Sequence, residues 1–150
     1  LGYTLQLPDR DKYLVSKQEL LNELAVLMGG RSAEETFFNE ITTGASNDIK
    51  RATQLAHQIV CEYGMTELGT RTFGKNQENV FMGRDMYDHA KDYSEATAEQ
   101  IDGKISSLLD EAHQVALAII KKNKPKLIEI EAVLIEKEVL DGEMFDKLLK

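Results

Sequence analysis

The amino-acid sequence predicts an all-α fold, a helical bundle with one short β-strand at its edge near the N-terminus. Apolar residues recur at helical spacing through most of the chain, and side chains suited to capping stand in front of those runs. Only one short segment near the start alternates with the period of a strand. With 150 residues there is enough chain for one domain with its own core.

The alternating segment is Tyr3-Thr4-Leu5-Gln6-Leu7, which stops at Pro8 and gives a strand over 3–7. Ser16-Lys17-Gln18-Glu19 has capping-box spacing and opens a helix over about 16–29, with Leu20, Leu21, Leu24, Leu27 and Met28 apolar and Gly29-Gly30 as its end. A second box, Ser32-Ala33-Glu34-Glu35, starts a short helix over 32–38. After the turn Thr42-Thr43-Gly44-Ala45, Ser46 caps a helix over 46–63 that ends at Gly64. The stretch from Met65 to Tyr93 lacks a sustained period and reads as a long irregular connection with a short strand near Val80-Phe81. The helical period returns over 94–122, with a stripe through Ile101, Ile105, Leu108, Leu109, Ala112, Ala116, Ile119 and Ile120. Pro125 suits the first turn of a helix over 125–137, and Asp141 caps a last one over 142–149.

A lone strand must pair its backbone groups with something outside its own segment. Pairing with other residues of the same domain is the plain reading. An edge left open for an extended peptide is the sharper one, and both can hold at opposite edges.

The net charge of −8 and the lack of a basic patch argue against nucleic acid as a partner. Cys61 is the sole cysteine, so an intrachain disulfide and a cysteine-rich zinc site are excluded, and a reducing compartment is the simpler inference. No apolar run approaches the ~20 residues that span a bilayer.

One acid is out of place. In the helix after Ser46, Ala52, Leu55, Ala56, Ile59 and Tyr63 share a face, whereas Lys50, Gln54, His57 and Cys61 point away. At about 100° per residue, Asp48 falls within roughly 50° of the middle of that apolar stripe. A carboxylate on a buried face needs a partner or a metal. A first-turn acid serving the helix dipole, an ion pair and a metal ligand all satisfy that demand, and periodicity does not choose among them.

The surrounding words do choose. Leu24-Ala25-Val26-Leu27-Met28-Gly29-Gly30-Arg31-Ser32-Ala33-Glu34-Glu35 resembles the LGGRAAEE stretch of the FtsH-type ATP-dependent zinc metalloproteases. Thr42-Thr43-Gly44-Ala45-Ser46-Asn47-Asp48-Ile49 is similar to that family's TTGASNDL motif, and Gly64-Met65-Thr66-Glu67-Leu68-Gly69 to its GMSE-LG turn. Phe81-Met82-Gly83-Arg84 and Leu140-Asp141-Gly142-Glu143-Met144-Phe145 continue the match, so the resemblance covers nearly the whole chain in order.

In that family, the resemblance implies, zinc is held by the two histidines of an H-E-x-x-H helix and a distant aspartate, and Asp48 stands at the aspartate's position. The implied activity is hydrolysis of unfolded or misassembled proteins by metal-activated attack of water on the peptide bond. The implied parent is a membrane-anchored homo-hexamer or family hetero-hexamer, with ATP and magnesium in a separate ATPase module. Its compartment would be the bacterial cytoplasmic face, a mitochondrion or a chloroplast. Any membrane contact would come through an N-terminal part outside this chain.

The chain departs from the pattern in one respect: it has no H-E-x-x-H. Its histidines, His57, His89 and His113, include no pair four apart, so none replaces the missing ligands. The expectation is a C-terminal part of a peptidase domain, spanning 1–150, that is inactive alone. A catalytically silent assembly module of the same fold is the alternative, and an upstream H-E-x-x-H would decide between them. Thr43 and Asn47 flank Asp48 and either could orient its carboxylate, although turn and capping chemistry also explains them.

By the same resemblance the strand lies near the active-site cleft. The hypothesis is that Tyr3, Thr4 and Leu5 align substrate through main-chain hydrogen bonds. Replacing Thr4 or Leu5 by proline in the complete protein should then impair peptide cleavage and leave zinc content intact. Unchanged cleavage would remove the strand from substrate binding.

Overall fold

In a computed structural model, the described residues are 14–74 and 92–149. They form six α-helices: α1 Lys17–Leu27, α2 Gly29–Phe37, α3 Ser46–His57, α4 Glu95–Lys122, α5 Lys124–Lys137 and α6 Gly142–Leu149. The expected strand at 3–7 and the expected strand near Val80-Phe81 lie outside the described residues. Among the described residues there is no strand, and the fold is all-α.

The first capping box forms as its spacing predicts. Ser16 Oγ accepts from the Glu19 amide, and the Ser16 amide donates to Glu19 Oε2 at 2.9 Å. The second box does not form. Ser32 sits inside α2, its amide donating to the Met28 carbonyl at 3.0 Å and its side chain fully buried. α2 restarts at Gly29 after a single break at Met28, so its first turn is complete before Ser32 is reached. The two glycines therefore open α2 rather than closing α1, and neither has the left-handed φ of a helix-terminating glycine.

α3 is also entered differently from the expectation. A 3-10 turn, Thr43–Ala45, precedes it, and Ser46 is its first residue rather than its cap. Its far end passes into a π-helical turn, Gln58–Glu62, closed by the Tyr63 amide donating to the Gln58 carbonyl at 2.9 Å. The wider turn shifts the inward face by about one residue. Val60 and Cys61 consequently join Ile59 in the core, and Tyr63 is turned outward. Both Cys61, expected on the polar face, and Tyr63, expected on the apolar one, are thus corrected. Gly64 ends the helix as predicted, with φ +59. The left-handed φ favours glycine, and a Cβ there would also crowd the Arg71 amide nitrogen at 3.3 Å.

The core gathers Leu20, Leu24, Leu27 and Met28 of α1, Ala52 and Ala56 of α3, and Ile101, Leu108, Ala112 and Ala116 of α4. α4 is the spine, touching α1, α2, α3 and α5. Its apolar stripe is covered as far as Ala116, beyond which Ile119 is exposed. Phe73 reaches the core from the connection after α3, its amide donating to the Cys61 carbonyl at 2.8 Å and its ring edge-on to Tyr93. Lys104 of α4 pairs with Glu67 at 2.8 Å, which fastens the same connection and holds the Glu67 carboxyl below its usual range.

α5 begins with Pro125 in its first turn, and Lys124 Nζ donates to the Thr36 carbonyl at the end of α2 at 3.2 Å. Asp141 Oδ1 accepts from the Met144 amide at 2.8 Å and caps α6. No residue of α5 or α6 is buried, and Ile128, Ile135, Val139 and Phe145 are exposed. Among the described residues no helix is long and apolar enough to cross a membrane.

Leu24 is fully buried, whereas Val26 of the same helix is 67% exposed. Truncating Leu24 to alanine should destabilise the domain by about 2–5 kcal/mol in urea unfolding. Val26→Ala should change it by no more than about 0.5 kcal/mol.

Candidate metal centre

Three turns of the chain converge on the start of α3. α2 ends at Phe37, the segment 38–42 follows, and the 3-10 turn Thr43–Ala45 feeds the helix. Thr42 caps that turn, its Oγ1 accepting from the Gly44 amide at 3.0 Å. Glu34 reaches across from α2: its Oε2 accepts from the Thr42 amide at 3.2 Å, and its Oε1 accepts from the Thr42 hydroxyl. The Thr42 hydroxyl and then the Thr42 amide hold the Glu34 carboxyl below its usual range. What this contact adds to stability is therefore fully present above the ordinary carboxylate pKa and is lost as pH falls through the lowered value.

Gly44 fits this arrangement because it has no side chain. A Cβ there would lie 3.1 Å from Glu34 Oε1 and 3.2 Å from Thr42 Oγ1. Ala45, buried, is the cap residue of α3 and has no side-chain hydrogen bond to give the helix.

Asp48 occupies the first turn of α3, one turn before Ala52 on the stripe that continues through Ala56. Its side chain is 45% exposed, which corrects the expectation of a buried carboxylate. The direction was right and the depth was not: Ala52 and Ala56 are covered, but the helix start lies at the rim of that packing. Arg51 Nη1 is 3.9 Å from Asp48 Oδ1, a loose and half-exposed approach that contributes little. Among the described residues no hydrogen bond engages the Asp48 carboxylate. It is thus an anion at the positive end of a helix, accessible from outside the bundle.

Thr43 and Asn47 are exposed beside it, and no hydrogen bond joins either side chain to Asp48 among the described residues. Tyr3, Thr4, Leu5 and His89 lie outside the described residues. His57 is exposed on the polar side of α3, in an open hollow of about 670 Å³ that it lines with Glu23, Arg51 and Glu62 and that does not include Asp48. His113 of α4 has Nε2 3.2 Å from Glu35 Oε2, while Arg31 Nε donates to Glu35 Oε1 at 3.1 Å. His113 thus lies beside Glu35 where α2 packs on α4, at the edge of the core, although its Nε2 makes no hydrogen bond among the described residues. Burial is the first reason that the Cys61 thiol is pushed up, which keeps it protonated and unsuited to binding metal.

Among the described residues no group of three or more His, Cys, Asp or Glu side chains could hold a metal ion. Asp48 offers an accessible carboxylate on a packed helix, and zinc takes such an oxygen donor only as one member of a larger ligand set. The contact of Glu34 with Thr42 is the feature beside Asp48 that sequence reasoning missed. It spans eight residues across a helix end, and no periodicity signals a pairing of that kind.

Comparison with known proteins identifies the family. The chain is 49% identical over 142 residues to the ATP-dependent zinc metalloprotease FtsH of Acidobacterium capsulatum, covering 95% of this chain and 22% of that protein. It is 49% identical over 150 residues to the FtsH of Slackia heliotrinireducens, covering 99% of this chain and 19% of that one. Against the FtsH of Pseudothermotoga lettingae it is 46% identical over 151 residues, covering 100% of this chain and 24% of the relative. The chain thus spans between 19% and 24% of the length of these curated relatives. The sequence model of peptidase family M41 matches residues 1–148, and the chain belongs to that family of zinc metalloproteases.

Proposed function

We propose that this chain is part of the proteolytic domain of a membrane-anchored, ATP-dependent zinc endopeptidase, and that Asp48 is one of the zinc ligands. The observation that carries this reading is the state of the Asp48 carboxylate. It is half-exposed at the start of a packed helix and free of hydrogen bonds among the described residues. The helix dipole alone would also stabilise an acid there, and it is the match of residues 42–49 to the TTGASNDL motif that favours the metal role. An accessible carboxylate fixed on a rigid element is what a metal site assembled from several segments needs.

When bound, zinc would polarise the scissile carbonyl and lower the pKa of water. Asp48 would contribute negative charge and one oxygen donor, and the packing of Ala52 and Ala56 would fix the direction from which that oxygen approaches. Thr43 and Asn47 would complete its surroundings by orienting the carboxylate once the remaining ligands are present. The histidine pair and the general base belong to an H-E-x-x-H helix, which this sequence lacks, so the chain alone should not cleave peptides.

Unfolded polypeptides are the substrates this reading implies, admitted along the segment 3–7, expected from the sequence to be a strand, with little sequence preference. ATP and magnesium would act in an unfolding module that is not in this chain. The uncovered apolar residues of α5 and α6 support assembly into the family's hexameric ring, since patches of that kind mark interaction surfaces.

Asp48→Asn keeps the size of the side chain and removes its charge. In the full-length protein, casein cleavage should fall by on the order of 100-fold or more, since loss of even an outer partner of a ligand costs about 10–100-fold. Zinc bound per subunit should fall with it. Wild-type cleavage and zinc content in this variant would exclude Asp48 as a ligand.

A further inference from the structure

We propose that Glu34 is a positioning residue for Asp48, acting from α2 by clamping the turn from which α3 starts; this rests on the reading of Asp48 as a zinc ligand. Both Glu34 oxygens accept from Thr42, one from its amide and one from its hydroxyl. The same Thr42 oxygen accepts from the Gly44 amide, so a single hydroxyl couples α2 to the turn. The turn leads directly into α3, where the Ser46 amide donates to the Thr43 carbonyl. From there Asp48 is half a helical turn away.

α3 has no other device of this kind at its start. Its cap residue is Ala45, which has no side chain able to bond the first-turn amides. The hydrophobic stripe from Ala52 to Val60 secures the body of the helix, and it does not fix the turn in front of it. Without the clamp, the first turn can fray or tilt while the core stays packed. A ligand moved by about 1 Å loses its geometry with the metal long before the domain loses stability.

Gly44 points the same way. Its missing Cβ would lie 3.1 Å from Glu34 Oε1, so any side chain there would push the carboxylate aside by a few tenths of an ångström. The carboxylate and the bare backbone therefore form one unit. Glu34 itself is aimed at the turn and acts through Thr42 and Asp48 rather than on the metal.

The test uses the full-length protein and measures zinc affinity by chelator competition, together with the thermal midpoint of the metal-free form. Glu34→Gln and Thr42→Val should each weaken zinc binding by about 10-fold and shift the midpoint by only a few degrees. Thr42→Ser, which keeps the hydroxyl, should restore affinity to within about twofold of wild type, and Glu34→Gln combined with Thr42→Val should lose no more than either alone. Unchanged affinity in Glu34→Gln and Thr42→Val overturns the proposal, whether or not the midpoint falls. Should Glu34→Gln not fold, the contrast between Thr42→Val and Thr42→Ser decides: equal zinc affinity in those two overturns it. Asp48→Asn measured alongside separates the two claims. Zinc retained in Asp48→Asn defeats the ligand assignment and this inference with it; zinc lost there but kept in the Glu34 and Thr42 variants defeats this inference alone.

Discussion

A helix can hold a charged group in a fixed place only if the rest of its length is immobilised, and burial of one stripe of α3 supplies that constraint here. Ala52, Ala56, Ile59, Val60 and Cys61 are all buried, packed in one cluster with residues of α1 and α4. The small side chains let the backbones pack closely, and Leu24 and Ile59 fill the remaining volume. Asp48 continues the same stripe one turn earlier, past the covered part. Its position is therefore inherited from the core, although it is not in the core. A carboxylate deeper on the stripe would suffer desolvation, and one on the opposite face would point away from the direction that the packing fixes.

The turn before α3 completes what the core cannot. Helix starts leave amides unsatisfied, and Ala45 has no side chain to answer them. Glu34 and Thr42 provide order one step earlier, through contacts that cross from α2. α2 in turn packs on α4, with Glu35 beside His113, and Lys124 at the start of α5 bonds its C-terminal end. Adjacent glutamates on one helix thus serve two different structures, Glu35 facing the spine and Glu34 facing the turn. Further along, the C-terminal pair α5 and α6 contributes no buried residue, and its apolar side chains are left for other surfaces.

Features governed by neighbours within one turn were legible in the sequence. The Ser16 box, the left-handed Gly64, Pro125 and the Asp141 cap all follow from local stereochemistry, and each forms as read. The period of the apolar residues located α4 and the face of α3. Two capping expectations of the same reach failed, since Ser32 lies inside α2 and Ser46 is the first residue of α3, and the remaining failures depend on more than one turn. A regular 100° period cannot anticipate a π-helical turn, so Cys61 and Tyr63 exchanged sides. Gly29 and Gly30 look like a stop signal, yet with ordinary φ values they serve as the first residues of α2. Phe73 lies in a segment without periodicity, and its insertion is a tertiary event that no local pattern announces. The identity of Asp48 came from a motif, its direction from periodicity, and its half-exposed depth only from the packing.

The most direct test of Asp48 as a ligand is an anomalous-scattering map of the zinc-loaded full-length protein. The expected result is a zinc peak about 2.0–2.2 Å from an Asp48 carboxylate oxygen, with nitrogen donors completing the site. A zinc peak coordinated without Asp48 would contradict the assignment, however well the surrounding fold agreed.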